Sequence, residues 1–282
     1  MIRSLLFVPA DAERFVARAH ERGADAVILD LEDGVTSARK DLAREGLAAA
    51  AAQVGRAGAL VFVRVNSTPE RLAADLGAAC AAGATVALLP KATPTRVVQA
   101  AALLDALGTP LRLLPVVEDA AGVLEARAVA AASPRVFGLL CGGEDLSTDL
   151  GGRPTPEVLR LPKLLVHYAA RAARVRSFGL LRSIADYRDL EAIRAAATEA
   201  RMHGFDGASC VHPAVVPLLN EAFAPDAAEL ERARRLLATY DAAVAVGQGA
   251  CVFDGEMVDA PVATRARRLL EEAPHSGASV LR

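Results

Sequence analysis

The chain has 282 residues, 53% of them hydrophobic and 23% charged, which is enough apolar material for one sizeable core and excludes a disordered chain. A formal net charge of −2, no tryptophan and no basic run interleaved with aromatics exclude nucleic acid as an expected partner. No apolar stretch approaches the roughly 18 residues of a membrane span, so neither a membrane nor export is expected.

In chain order, short apolar runs alternate with helical segments. SLLFVP at 4–9 reads as a strand, followed by a helix from Phe15 to Arg22. AVILDLED at 26–33 is the second strand, with a helix from Ala38 to Ala52; LVFVRVN at 60–66 is the third. TVALLPK at 85–91 leads into a helix from Pro94 to Leu107, and LRLLPVVE at 111–118 is the fifth strand. VFGLLCGGED at 136–145, SFGLLRSI at 177–184 with a helix from Asp189 to His203, and ASCVHP at 208–213 complete eight strands. Strands that are apolar throughout and alternate with helices imply a parallel sheet buried on both faces. Eight such units in 1–224 predict an α/β fold, a (β/α)8 TIM barrel; the rival, an open doubly wound sheet, lacks a G-x-G-x-x-G fingerprint after an early strand.

Residues 225–282 form a second segment, a C-terminal helical extension expected at a subunit interface. It begins with an amphipathic helix from Ala227 to Val246, with Leu230, Ala233, Leu237, Tyr240 and Val244 on one stripe. The Gly-rich segment GQGACVFDGEMVDAP, a short helix from Val262 to Glu272 and a frayed SGASVLR tail follow.

In a barrel the site lies at the C-terminal ends of the strands, so polar residues ending apolar runs are the candidates. They are Asp30, Glu32 and Asp33; Arg64 and Asn66; Lys91; Glu118 and Asp119; Glu144 and Asp145; and His212. Glu118 and Asp145 are a candidate pair for one Mg²⁺, a hard cation that takes one or two carboxylates plus water and substrate oxygens. The ordinary alternative is helix capping, for which Asp119 and Ser147 are available. Arg64, inside an apolar strand, suits bidentate binding of a substrate carboxylate or thioester oxygen; its alternative is an ion pair with a barrel carboxylate. Lys91 has an ion pair with Glu32 or Asp33 as its ordinary reading, and His212 before Pro213 is as readily a turn residue as a base. Cys80, Cys141, Cys210 and Cys251 form no C-x-x-C pair, which fits a reduced, cytoplasmic setting, and no H-E-x-x-H zinc motif is present.

RSLLFVP, GADAVILDLEDGV with Lys40 and Arg44, VFVRVN, LPKA, PVVEDAAGV, GGEDLSTDLG, GFDG with VHP, and DGEMVDAP together resemble the citrate lyase beta subunit family of the HpcH/HpaI aldolase group. The resemblance runs over nearly the whole chain in the same order. It implies a Mg²⁺-dependent lyase that cleaves citryl-CoA, or a related 3-hydroxyacyl-CoA such as malyl-CoA, to acetyl-CoA and oxaloacetate or another keto acid. It further implies Glu118 and Asp145 as metal ligands, Arg64 as a catalytic and substrate-binding residue, and Asp259 as an acid or base reaching a neighbouring subunit's site. Glu32 and Asp33 then orient water or hold Lys91, and Lys91, Gly143, Glu144 and Asp145 face the substrate. The implied assembly is a homotrimer or hexamer, with other lyase subunits as further partners.

The chain departs from the family pattern at several points. Pro9-Ala10-Asp11 replaces Pro-Gly-Asn, Arg18 stands for a lysine, SFGLLRS replaces the Ala-Ile-Asp of strand seven, and Gly207-Ala208 replaces Gly-Lys. These changes keep two alternatives open: an acyl-CoA thioesterase or synthase on the same metal site, and a non-catalytic barrel subunit.

Overall fold

The computed structural model describes residues 1–272; the expected SGASVLR tail lies outside them. Two compact units are present, one from Ile2 to Phe223 and one from Ala224 onward.

The first unit contains eight strands: β1 (Ser4–Pro9), β2 (Ala26–Asp30), β3 (Leu60–Arg64), β4 (Val86–Leu89), β5 (Arg112–Val117), β6 (Gly138–Cys141), β7 (Arg176–Phe178) and β8 (Ala208–Cys210). Around them run α1 (Glu13–Ala19), α2 (Lys40–Glu45), α3 (Leu47–Val54), α4 (Pro69–Ala81), α5 (Pro94–Ala106), α6 (Ala120–Ala131), α7 (Gly143–Asp149), α8 (Pro156–Ala172), α9 (Leu190–His203) and α10 (Val216–Phe223). The sheet order is β7-β6-β5-β4-β3-β2-β1-β8, all parallel where paired, so each strand lies beside its chain neighbour. Between β7 and β8 a single parallel bridge, Phe178 to Gly207, and the Gly179 N–H donating to the Gly207 carbonyl at 2.9 Å complete the ring. The expected (β/α)8 barrel is the observed fold.

Local sequence explains the elements. Strands β2, β4, β6 and β8 are buried at every position, as a sheet covered on both faces requires. Proline stands in the first turn of α4, α5 and α8, where a missing N–H costs nothing. Thr93 and Asp119 cap α5 and α6 through the N–H groups of Arg96 and Gly122. The expected helix 38–52 is broken at Gly46 into α2 and α3, because glycine is a weak helix former. The N-terminal end of the barrel is plugged by Phe62, Phe137 and Phe178, with Phe137 stacked on Phe178 at 6.0 Å and the first residues of β5 and β7, Arg112 and Arg176, over its ring. The other end, where the strand-end acids lie, is left for the site.

Three expectations are corrected. The sixth strand stops at Cys141, and Glu144 and Asp145 stand in the first turn of α7, because Gly142 turns the chain and its carbonyl accepts the first helical bond. The seventh strand is three residues long, because Gly179 at φ 151° leaves the extended conformation. Ser147 caps nothing: its buried hydroxyl is without a partner.

The second unit has α11 (Ala227–Ala245), a hairpin of β9 (Cys251–Phe253) and β10 (Glu256–Val258), and α12 (Ala260–Glu272). Asp226 and Glu229 form a reciprocal capping box at the start of α11. Its buried stripe is Ala233, Leu236, Tyr240 and Ala243, against Phe253 and Val258; Val244, expected on the stripe, is 49% exposed. The Gly-rich segment holds a hairpin that its composition hid, with Asp254 and Gly255 at its turn.

A side chain at Gly207 would place its Cβ 2.2 Å from the Ile2 carbonyl oxygen, at the seam. Gly207→Ala is therefore expected to cost about 2–4 kcal/mol in urea unfolding. Gly77, inside α4 with nothing within 4 Å of its Cβ position, is the control, and Gly77→Ala is expected to gain about 0.5–1 kcal/mol.

Candidate functional site

Asp30 and Arg64 are the last residues of β2 and β3 and stand opposite one another in the parallel register. Arg64 donates from Nε and Nη2 to the two oxygens of Asp30 at 2.7 and 2.6 Å, and its Nη1 lies 3.0 Å from Glu32 Oε2. Its guanidinium also stacks over Phe7, 5.1 Å from the ring centre. Burial alone would lower the Arg64 pKa, but the Asp30 hydrogen bonds and charge outweigh it and hold the group above its ordinary value. The ion pair with barrel carboxylates is thus present, and Arg64 still lines the cavity described below.

Asp30 also accepts the N–H groups of Glu32 and Gly34, which folds the LEDG segment back over the end of β2. Glu32 is buried, and burial, strengthened by the charge of Asp33, raises its pKa against the pull of Arg64 and Lys91. Lys40 supports this turn from behind, with Nζ donating to the carbonyls of Leu31 and Glu32 and to Asn66 Oδ1. Asn66 donates in turn to the buried Asp75 of α4, which pairs with Arg44. Asp33 is exposed at the cavity edge.

Lys91, just after β4, has the left-handed backbone value φ 51°, uncommon for a residue with a side chain. That conformation aims its N–H at Glu118 Oε2, 2.8 Å away, while its Nζ reaches Glu32 Oε1 at 3.2 Å. Glu118 is 6% exposed, and its pKa is pushed up to about 7. Burial is the main cause; the charges of Glu32 and Asp145 add to it, and the Lys91 N–H works against it. Opposite stands Gly142: a Cβ there would lie 2.7 Å from Glu118 Cγ and 2.9 Å from Oε1, so only glycine leaves room for this carboxylate. Asp145 is exposed in the first turn of α7, near enough for its charge to act on Glu118. Glu144 accepts a hydrogen bond from the Ser183 hydroxyl.

These residues surround a cavity of about 890 Å³ at the C-terminal ends of the strands. Asp30, Asp33, Arg64, Glu118, Gly143, Glu144 and Asp145 all line it, so most of the expected candidates come together. Lys91 stands behind Glu118 and Glu32. His212 lines the cavity, but its Nδ1 accepts the Ala214 N–H and its ring stacks flat on Tyr187 at 4.6 Å, which makes it a helix cap. Asp259 belongs to the second unit, where its carboxylate caps α12 by accepting the Val262 N–H at 3.3 Å. Asp30 and Lys163 of α8 are cavity residues to which the sequence assigned no role. The signal for Lys163 was a lysine on the apolar stripe formed with Leu159 and Val166. Three arginines, Arg14, Arg18 and Arg22, follow one another at four-residue intervals along α1 and the turn after it, and also line the cavity.

The donor set has a definite character. Among the described residues no three histidines, cysteines or acids cluster as a metal site. Two carboxylates, one buried in a negative environment and one wet, fit a hard cation that keeps water and substrate oxygens, and do not fit zinc. The exposed side chain of Asp145 has a free oxygen pair to offer, and Glu118 carries charge that a cation would compensate.

The family model for HpcH/HpaI aldolase/citrate lyase matches residues 3–213. The chain belongs to this family. Among its members, a citrate lyase subunit beta-like protein of Deinococcus radiodurans is 35% identical over 277 residues, covering 96% of both chains. A (3S)-malyl-CoA thioesterase of Cereibacter sphaeroides is 35% identical over 272 residues, covering 96% of this chain and 94% of that one. The crystal structure of CitE from Mycobacterium tuberculosis in complex with magnesium, acetoacetate and coenzyme A is 33% identical, with a TM-score of 0.78 over 96% of this chain and 97% of that chain. Among the described residues no helix is long and apolar enough to cross a membrane.

The Glu118 carboxyl carries a testable sign. A carboxyl whose folded pKa is raised contributes stability below the unfolded value near 4.5, and that contribution is lost as pH rises through about 7. Glu118→Gln, which copies the protonated form, is expected to stabilise the chelator-treated protein on the order of 1–3 kcal/mol at pH 8. At pH 4, below the unfolded value, the gain is expected to vanish; melting curves at the two pH values check this.

Proposed function

We propose that this chain is a Mg²⁺-dependent carbon–carbon lyase that cleaves a 3-hydroxyacyl-CoA of the citryl-CoA or malyl-CoA type into acetyl-CoA and a keto acid. The observation that carries the reading is the buried Glu118, held between the Lys91 N–H and Gly142 and faced by Asp145, at the wall of a cavity large enough for an acyl thioester. Glu118 and Asp145 would hold the ion. Bound there, it would act as a Lewis acid on the keto or hydroxyl oxygen of the substrate.

The chain's own groups supply the rest. Cleavage passes the proton of the 3-hydroxyl to water at the Asp33 edge and turns that C–O bond into the keto C=O. It moves the electrons of the breaking C–C bond onto the thioester, where the developing charge needs a fixed cation. Arg64, locked by Asp30 and kept protonated at every accessible pH, meets this need without reorganising. Asp33, at the wet edge of the cavity, orients water, and Lys91 fixes Glu32. The acetyl carbon receives a proton, which we assign to Asp259 of a neighbouring subunit in a homotrimer or hexamer. Arg14, Arg18 and Arg22 give the coenzyme's phosphates three guanidinium groups along one side of the cavity. That Arg18 stands for a lysine preserves the charge.

A second reading, thioester hydrolysis, is favoured by the 35% identity to a malyl-CoA thioesterase. The two differ in products. With citryl-CoA and malyl-CoA as substrates and Mg²⁺ present, lyase action yields acetyl-CoA and keto acid with no free thiol. Hydrolysis releases free CoA thiol and no keto acid. Glu118→Gln is expected to lose Mg²⁺ binding in calorimetry and at least about 100-fold in kcat/KM. Full Mg²⁺ binding and turnover in that variant would sink both readings. Changing Arg14, Arg18 and Arg22 together to alanine is expected to raise KM for the thioester about tenfold or more with kcat little changed.

A further inference from the structure

Lys163 is a cation in the wall of the cavity that the proposed chemistry leaves without a task. It lies on the inner stripe of α8 with Leu159, Val166 and Ala170, is 4% exposed, and runs beneath the turn Gly142 to Asp145. A Cβ at Gly143 would stand 3.4 Å from its Cε. Its ammonium has three N–H donors, and the structure gives it one acceptor, the Cys141 carbonyl oxygen at a long 3.4 Å. Among the described residues no carboxylate lies within ion-pair distance of it, and the charge of Glu144, which accepts the Ser183 hydroxyl through one oxygen, acts on it from further off. Lysine is almost never buried to this degree without a partner: burial holds the Lys163 pKa below the ordinary lysine value, and a bound anion would offset that cost.

The other cations of the cavity are differently placed. Arg64 already commits three donors to Asp30 and Glu32. Arg14 and Arg18 are exposed on α1. The acids Glu118, Glu144 and Asp145 repel an incoming anion, so a substrate carboxylate beside them needs a counter-charge, and Lys163 is the cavity cation set directly against the Gly142–Asp145 turn.

We propose that Lys163 is the carboxylate anchor of the site, a binding residue whose ammonium receives the carboxylate of the keto acid beneath the Gly142–Asp145 turn. The assignment rests on the lyase reading and adds to it the group that selects a substrate with a carboxylate at that end.

The test is calorimetric titration of pyruvate, oxaloacetate and, separately, CoA into wild type, Lys163→Met and Lys163→Arg, all with Mg²⁺. Lys163→Met is expected to lose roughly 10- to 100-fold in keto-acid affinity, with CoA affinity within about twofold of wild type. Lys163→Arg is expected to recover most of the loss. Unchanged keto-acid affinity in Lys163→Met, or a parallel loss of keto acid and CoA, would overturn the assignment. If Lys163→Met does not fold, Lys163→Gln, which keeps a polar tip but no charge, is read against the same two outcomes. Wild type that binds neither keto acid overturns the functional reading itself, and a wild type that binds while the variants bind equally well overturns only the anchor.

Discussion

The site hangs on the pairing of Asp30 with Arg64. Because β2 and β3 are parallel and in register, the two residues form the last rung of their ladder, and a bidentate contact there fixes both strand ends at once. Asp30 also holds the following turn through two N–H groups, which brings Glu32 to the same guanidinium. From Glu32 the contacts pass to Lys91 and from the Lys91 N–H to Glu118. One strand-end pair therefore sets the position of a carboxylate three strands away. Lys40, Asn66, Asp75 and Arg44 brace the same turn from outside the barrel, so it has little freedom to relax.

That chain of contacts leaves an uneven charge balance. Asp30, Glu32 and Glu118 are all buried, with Arg64 and the half-exposed Lys91 as their near cations, and Asp33 and Asp145 add more negative charge from the wet side. A buried carboxylate without compensation protonates or finds a cation. The raised pKa of Glu118 is the first response, and the proposed divalent ion would be the second. The same surplus that raises the Glu118 pKa suits this position to a cation, and Gly142 and the left-handed Lys91 backbone hold the carboxylate there.

Much of this was legible in the chain. The eight apolar runs, each followed by a helical segment, gave the barrel, because complete burial of a parallel strand leaves no alternation to misread. The strand-end acids were legible too, because a carboxylate that closes an apolar run stands out whether it is wet, as Asp33 is, or buried, as Asp30, Glu32 and Glu118 are. What the run of letters hid was geometry. Glu144 and Asp145 look like a strand's end but stand in a helix, because Gly142 turns the chain before them. The double claim on Arg64 by Asp30 and Glu32 depends on register, which composition does not reveal. Lys163 escaped because it enters the cavity from a helix, and a search confined to strand ends passes over it. The hairpin of the second unit was masked by the glycines that also make its turn.

The ring is not equally firm all round. Six of its strands carry four or more residues and share ladders, whereas β7 and β8 have three each and meet through one bridge. The segment after β7, from Gly179 to Asp189, forms no helix and contributes Ser183, Ile184, Ala185 and Tyr187 to the cavity. Asp30, Arg64 and Glu118 stand at β2, β3 and β5 on the laddered arc, whereas Glu144 and Asp145 follow β6, which borders the weak seam. Such a division lets one arc of the rim vary, by insertion or by exchange of side chains, while the arc that carries Asp30, Arg64 and Glu118 stays fixed. New substrates can then be acquired along the weak arc without rebuilding the reaction.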